Sequence, residues 1–190
     1  PVVARLELTA DSLTLPFGAS AHHLRALVRG NLRPARLQFD PRELDLFAES
    51  LNAAGFTATS VAATIQPGPL PRLTADIDAL ILGAPLAIKA DADLREQLAS
   101  FRFSGALAAE ILTPLSTLSK VDVRKYFDFA TMPKLNGYAN LGAGWKFQKL
   151  GLSAELTGVN AYHVTIEEGR ATVEFDGRHF YASETWARIG

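Results

Sequence analysis

Apolar and polar residues alternate with a period of two along most of the chain. Stretch 85–95 shows it best. Leu86, Ile88, Ala90, Ala92 and Leu94 point one way, and Ala87, Lys89, Asp91, Asp93 and Arg95 point the other. That period marks a strand with one apolar and one polar face. The pattern pauses at Glu96-Gln97 and resumes with Ala99, Phe101, Phe103, Gly105 and Leu107, so 85–108 reads as a hairpin. Before it, 72–82 sets Leu73, Ala75, Ile77 and Ala79 against Thr74, Asp76 and Asp78. Segment 137–147 carries Ala139, Leu141, Ala143, Trp145 and Phe147 on one face. Segment 170–175 carries Ala171, Val173 and Phe175 and then turns at Asp176-Gly177. Further strands are expected at 2–9, 12–17, 22–29, 56–65, 150–161, 162–167 and 178–188.

Two stretches break this rhythm. Asp40-Pro41-Arg42-Glu43, followed by Leu44, Phe47, Ala48 and Leu51, has the spacing of a helix over 41–54. Asp40 suits an N-cap, Pro41 the first helical position, and Gly55 a stop. In 108–132, Ile111, Leu112, Leu115 and Leu118 suggest one short helix, with Pro114 in its first turn. Val123, Tyr126 and Phe127 suggest another, opened by Ser119-Lys120-Val121-Asp122 and ended by Pro133. The breaks recur: Val28-Arg29-Gly30-Asn31-Leu32 precedes the first and Phe103-Ser104-Gly105-Ala106-Leu107 the second. One β-rich domain over 1–190 is expected, with approximate repeat units 1–40, 41–108 and 109–190.

About ten strands at ~4.8 Å spacing would make a sheet roughly 45 Å wide. Two or three helices, each covering a strip ~10 Å across, cannot blanket its apolar face. The expected fold is therefore mainly β: a curved, taco-like antiparallel sheet with short inserted helices. The apolar residues are often small, as at Ala75, Ala79, Ala90, Ala92, Ala139 and Ala143, which leaves room between the walls. A closed β-sandwich, whose core mixes Ala with Phe and Leu, is the alternative.

Composition narrows the function. The chain is 48% apolar and 21% charged, with 19 Lys+Arg against 20 Asp+Glu and a net charge of −1. Disorder is excluded by that apolar content, and a nucleic-acid partner by the lack of a cationic field. There is no cysteine, so disulfides, thiolate metal sites and cysteine nucleophiles are absent. No apolar run approaches the ~18 residues of a membrane helix. The chain opens on Pro1 in mid-pattern and ends as abruptly at Ile189-Gly190, which suggests an excised piece of something longer.

Candidate chemistry is sparse. His22, His23, His163 and His179 show no metal-ligand spacing, and they read as surface residues. Asp76 and Asp78, like Asp91 and Asp93, share a face that also carries Lys89, Arg95 and Arg102, which reads as a solvated charged surface. Glu167-Glu168-Gly169 looks like a turn. Gly142-Ala143-Gly144 resembles half a phosphate loop, but no phosphate-loop motif follows, so it reads as a strand with close backbone approach. No serine sits in a nucleophile elbow. Lys120, Arg124 and Lys125 suit a solvated helix face or contacts to acidic headgroups. Trp145, Phe147, Tyr162, Tyr181 and Trp186 read as core or rim residues, with lipid contact open to Trp145 and Phe147. An enzyme is not expected, and neither a metal nor a cofactor is implied.

The strand-rich stretches "LTADIDALILGAPLAIKADADL" and "FRFSGALAAEI", with the later "LSAELTGVNAYHVTIEEGRATVEFDGRHFYASETWARIG", resemble the AsmA-like family of bacterial envelope proteins (AsmA/TamB/YhdP type). The inserted helices depart from that family's pure strand array. The resemblance implies a hydrophobic β-groove that shields lipid acyl chains for transport to, or maintenance of, the outer membrane. It implies a periplasmic location, with an inner-membrane anchor outside this segment, and no catalytic residues. The expected partners are a phospholipid or another acyl-chain lipid and neighbouring repeats of the same chain, with no nucleic acid. The groove candidates are Ile77, Ile88, Leu94, Phe101, Phe103, Leu141, Trp145 and Phe147. A structural β-repeat module with a closed core and no ligand is the competing reading.

Overall fold

A computed structural model describes residues 2–14, 19–36, 38–53, 56–68, 71–113, 116, 120, 122–129 and 131–190. The strands are β1 (Val2–Thr14), β2 (Ser20–Arg33), β3 (Gln38–Ala53), β4 (Phe56–Pro67), β5 (Arg72–Ile81) and β6 (Ala84–Asp93). They continue as β7 (Leu98–Ala106), β8 (Phe127–Phe129), β9 (Lys134–Gly142), β10 (Lys146–Ala161), β11 (Val164–Phe175) and β12 (Phe180–Ile189). All belong to one 12-stranded sheet. Neighbours in sequence are neighbours in the sheet, and every pair is antiparallel. The exception is short β8, which pairs with Val159–Ala161 of β10, beyond the part of β10 that β9 reaches.

Several expectations are corrected. The strand count is 12 rather than about ten. Among the described residues there is one open sheet with no second layer, so the β-sandwich is not formed. The helix expected over 41–54 is strand β3. Its intended N-cap Asp40 instead pairs with Arg42 at 3.2 Å, and Gly55 lies outside the described residues. Pro41 sits at a bulge, where pairing with β2 shifts between Arg29 and Gly30, a position that needs no N–H donor. Segment 108–132 contains 3-10 turns at Ala109–Ile111 and Val123–Lys125. Helical backbone is described at Leu112, Thr113 and Ser116, while Pro114, Leu115, Leu118, Ser119 and Val121 lie outside the described residues. The strand expected at 137–147 breaks at 143–145, so Gly142-Ala143-Gly144 ends β9 and opens a hairpin turn. Gly144 and Trp145 have φ of 72° and 58° there. Glu167-Glu168-Gly169 is not a turn; it lies inside β11, beside a bulge in the pairing to β12.

The false helix has a physical origin. In β3 the inward residues are Leu44, Leu46 and Ala48, and then Leu51. The alternation slips by one residue between Ala48 and Leu51. The same slip occurs in the neighbouring strands: Ala10 to Leu13 in β1, Ala21 to Leu24 in β2, and Ala58 to Val61 in β4. Apolar partners still face one another on both sides of it, as in Ala10↔Leu24 and Leu13↔Ala21. The pairs Ala48↔Val61 and Leu51↔Ala58 show the same. His23 and Ser60, at φ of 49° and 51°, supply left-handed kinks in β2 and β4 that re-aim the strand. Because the slips lie side by side, one face stays apolar across all four strands. Read along β3 alone, a spacing of three mimics a helix.

Burial is shallow. The buried apolar residues within the sheet are mostly alanines, including Ala21, Ala26, Ala48, Ala84 and Ala99. The larger ones, Leu112, Pro133 and Val159, lie in segment 107–133 and on the strand that β8 pairs with. Two close approaches depend on glycine. Gly137 lies under the ring of Phe103, directly opposite on β7, and a side chain there would also strike the carbonyl of Gly151. Gly151 lies under the ring of Tyr138, directly opposite on β9.

The expected turn at Asp176-Gly177 forms the β11–β12 connection. Asp176 Oδ1 accepts from the Arg178 and His179 amides, both at 2.8 Å, and Oδ2 accepts from the Tyr181 hydroxyl at 3.1 Å. The His179 amide above all, then that of Arg178, holds the Asp176 carboxyl at about 2. Its bond to Asp176 raises Tyr181 in turn. A carboxyl depressed in the folded state favours folding fully above its unfolded value of ~3.9, and that contribution is lost as pH falls through the folded value. The amide NMR shifts of Arg178 and His179 should therefore move with a midpoint near pH 2. Asp176→Asn should abolish that transition, and a midpoint near 4 in the unaltered protein would contradict the cap.

Candidate functional site

Directly opposed residues of antiparallel strands share a face, so the register assigns the faces. One continuous row runs Leu8, Ala26, Leu46, Ala63, Ile77, Ile88 and Phe103. It continues through Gly137, Leu152, Val173 and Ala182. A parallel row runs Leu6, Val28, Leu44, Ile65, Ala75, Ala90 and Phe101. It continues through Ala139, Leu150, Phe175 and Phe180. At ~4.8 Å per strand, each row crosses roughly 50 Å without a polar side chain. Residues of the central strands gain half-burial from lateral neighbours. At the two ends the rows are open: Leu6 is 52% exposed, Leu8 56% and Phe180 74%. Phe147, Phe175 and Phe180 form an aromatic group there, with centroid separations of 5.6 and 4.4 Å.

The groove candidates are largely brought together. Ile77, Ile88 and Phe103 are consecutive in the first row, and Phe101 lies in the second. Leu141 faces Ala99 and Phe147 on the same side. Leu94 and Trp145 lie outside the strands. They occupy adjacent turns at one end of the sheet, where the Leu94 amide donates to Pro71 and the Trp145 amide to Gln97, both at 3.0 Å. The sequence reading missed the contributions of β1–β4 and β11, such as Leu46, Ile65 and Val173. In β1–β4 the alternation was present but the slips cut it into short runs, whereas in β11 Ala171, Val173 and Phe175 were read as one face and not carried into the groove set.

The opposite face is a ladder of charged and hydroxyl groups. Glu7 accepts from Arg25 at 2.7 Å, Arg29 pairs with Glu43 and with Asp45 at 3.1 Å, and Lys89 lies 3.8 Å from Asp76. Asp93 caps the β6–β7 turn by accepting from the amides of Arg95 and Glu96, and the Glu96 bond chiefly lowers its pKa. Glu174 accepts from Tyr138 at 2.7 Å and from Lys149 at 3.0 Å. Those bonds, the Tyr138 one first, lower Glu174, and the Glu174 bond chiefly raises Lys149. The paired aspartates thus belong to a solvated ladder, as their positions suggested. His23 pairs with Glu49 at 2.6 Å and His179 lies 3.7 Å from Asp176, both at exposed positions. Among the described residues no three His, Asp or Glu side chains gather as a metal site. No helix among them is long and apolar enough to cross a membrane.

Comparisons with protein families, with curated proteins and with solved structures find no match in any of the three.

Proposed function

We propose that the apolar face is a lipid-handling surface, on which acyl chains lie across the strands and are shielded from water. One observation carries this reading: two apolar rows cross the sheet without a polar side chain, and no second sheet layer faces them among the described residues. Monomers rarely leave apolar surface of this extent in water. Each methylene an acyl chain buries here would contribute ~0.8 kcal/mol. Chain length would then matter more than headgroup, since the two rows carry no polar side chains to read one. In the taco-like form of the proposal the sheet curves around the chains. The resemblance to AsmA-like envelope proteins supports the same reading and is the sole ground for placing the protein in the periplasm, with phospholipid as its partner.

Native mass spectrometry after mild purification should show co-bound phospholipid. Photo-crosslinkers at Ile77, Ile88 and Phe101 should capture lipid. Capture of protein at those positions, with no lipid retained, would mean that the face is closed by neighbouring repeats, and it would overturn the proposal.

A further inference from the structure

A hollow of about 720 Å³ opens on the polar face above Gly151. Its floor is built by register. Lys89, Arg102, Tyr138, Gly151 and Glu174 face one another in turn across five strands. Gly151 leaves a gap, and the Tyr138 ring lies across it. The ring is pinned, because its hydroxyl donates to Glu174 Oε1 at 2.7 Å, while Glu174 Oε2 holds Lys149 at 3.0 Å. The charge of Glu174 is thereby satisfied within the protein.

Lys89 and Arg102 stand directly opposite each other, and opposed like charges destabilise a sheet. The nearest relief for Lys89 is Asp76 at 3.8 Å, and Arg102 has no ion pair or side-chain hydrogen bond among the described residues. Around them Ser100, Ser104, Asn136 and Asn140 line the hollow without bonding another side chain. The site thus offers an aromatic floor with the Lys149 ammonium 5.8 Å from its centroid, a rim of free hydroxyl and amide groups, and the Arg102 guanidinium, which has no acidic partner among the described residues, beside Lys89. Its volume suits a small organic molecule rather than a bare ion.

The geometry points to a binding site for an acidic sugar: a pyranose ring laid on Tyr138, its hydroxyls bonded to the Ser and Asn side chains, and its carboxylate or phosphate held by Arg102 and Lys89. Guanidinium binds either anion through two parallel hydrogen bonds. The site lies on the face opposite the apolar rows, so it stands or falls independently of the lipid reading.

Saturation-transfer NMR and titration of the whole chain test it, with glucuronate, glucose 6-phosphate, glucose, inorganic phosphate and AMP as probes up to about 10 mM, enough to saturate a millimolar site. Both sugar acids should bind, glucose and inorganic phosphate at least tenfold more weakly. Binding of only one sugar acid would identify its anion as the recognised group. Arg102→Gln should weaken the sugar acids about tenfold or more, as expected for a lost charge-assisted bond. Arg95→Gln, in the β6–β7 turn, should change nothing. No binding by either sugar acid, equal binding of glucose or inorganic phosphate, tighter binding of AMP, or indifference to Arg102→Gln in a folded variant would each overturn the proposal.

Discussion

Gly137→Ala is expected to destabilise the sheet by about 2–3 kcal/mol, while Gly151→Ala costs about 1 kcal/mol or less. Both glycines lie under an aromatic ring of the neighbouring strand, yet their surroundings differ. A Cβ on Gly137 would meet the carbonyl oxygen of Gly151 and the ring of Phe103. The carbonyl is backbone of β10, so relief requires β9 and β10 to part where Gly137 pairs with Leu152. The three atoms nearest a Cβ on Gly151 all belong to the Tyr138 ring, which can move only by straining its hydroxyl bond to Glu174. That movement loosens the bond to Glu174 but leaves the ladder intact. Alanine also restricts the unfolded chain, which offsets part of the cost at Gly151. Urea unfolding of both variants checks the ordering, and equal costs would mean that the ring contact, not the backbone contact, decides.

The parts legible in the sequence were those where alternation runs unbroken. From β5 to β7 each strand keeps one phase, so Ile77, Ile88 and Phe103 could be placed on a common face, and the structure sets them side by side. The turns at Glu96-Gln97 and Asp176-Gly177 were legible because polar residues interrupt the pattern there. Reading failed where tertiary structure overrides the local period. The slip at Ala48–Leu51 makes sense only beside the slips in β2 and β4, and in isolation it looks helical. Trp145 and Leu94 keep the alternation beyond the ends of their strands, so periodicity counted them as strand residues where the chain turns. The polar hollow could not be read at all, because Lys89, Arg102 and Tyr138 meet only once the register of β6, β7 and β9 is known.

Ile88→Glu should remove most bound lipid while costing the fold only about 1 kcal/mol. Ile88 lies mid-row between Ile77 and Phe103, in the path of a chain laid along the first row and beside one laid along the second. Ile88 is half-buried by its lateral neighbours, with no second sheet layer over it among the described residues, so the longer glutamate side chain can carry its carboxylate to water. The loss is then limited to lateral packing, worth about 0.2–1 kcal/mol per cross-strand pair. With an acyl chain laid over it, the same carboxylate would be desolvated without a partner, which is far more costly than a lost methylene contact. Lipid occupancy by native mass spectrometry should fall more than tenfold, whereas Gln66→Glu, an equal charge on the polar face, should leave it unchanged. A closed core gives the opposite signature: Ile88→Glu would then bury an unpaired charge, cost 3 kcal/mol or more and collapse the fold. Stability and lipid occupancy, measured together on this one substitution, decide whether the apolar rows are a surface for lipid or the inside of an assembly.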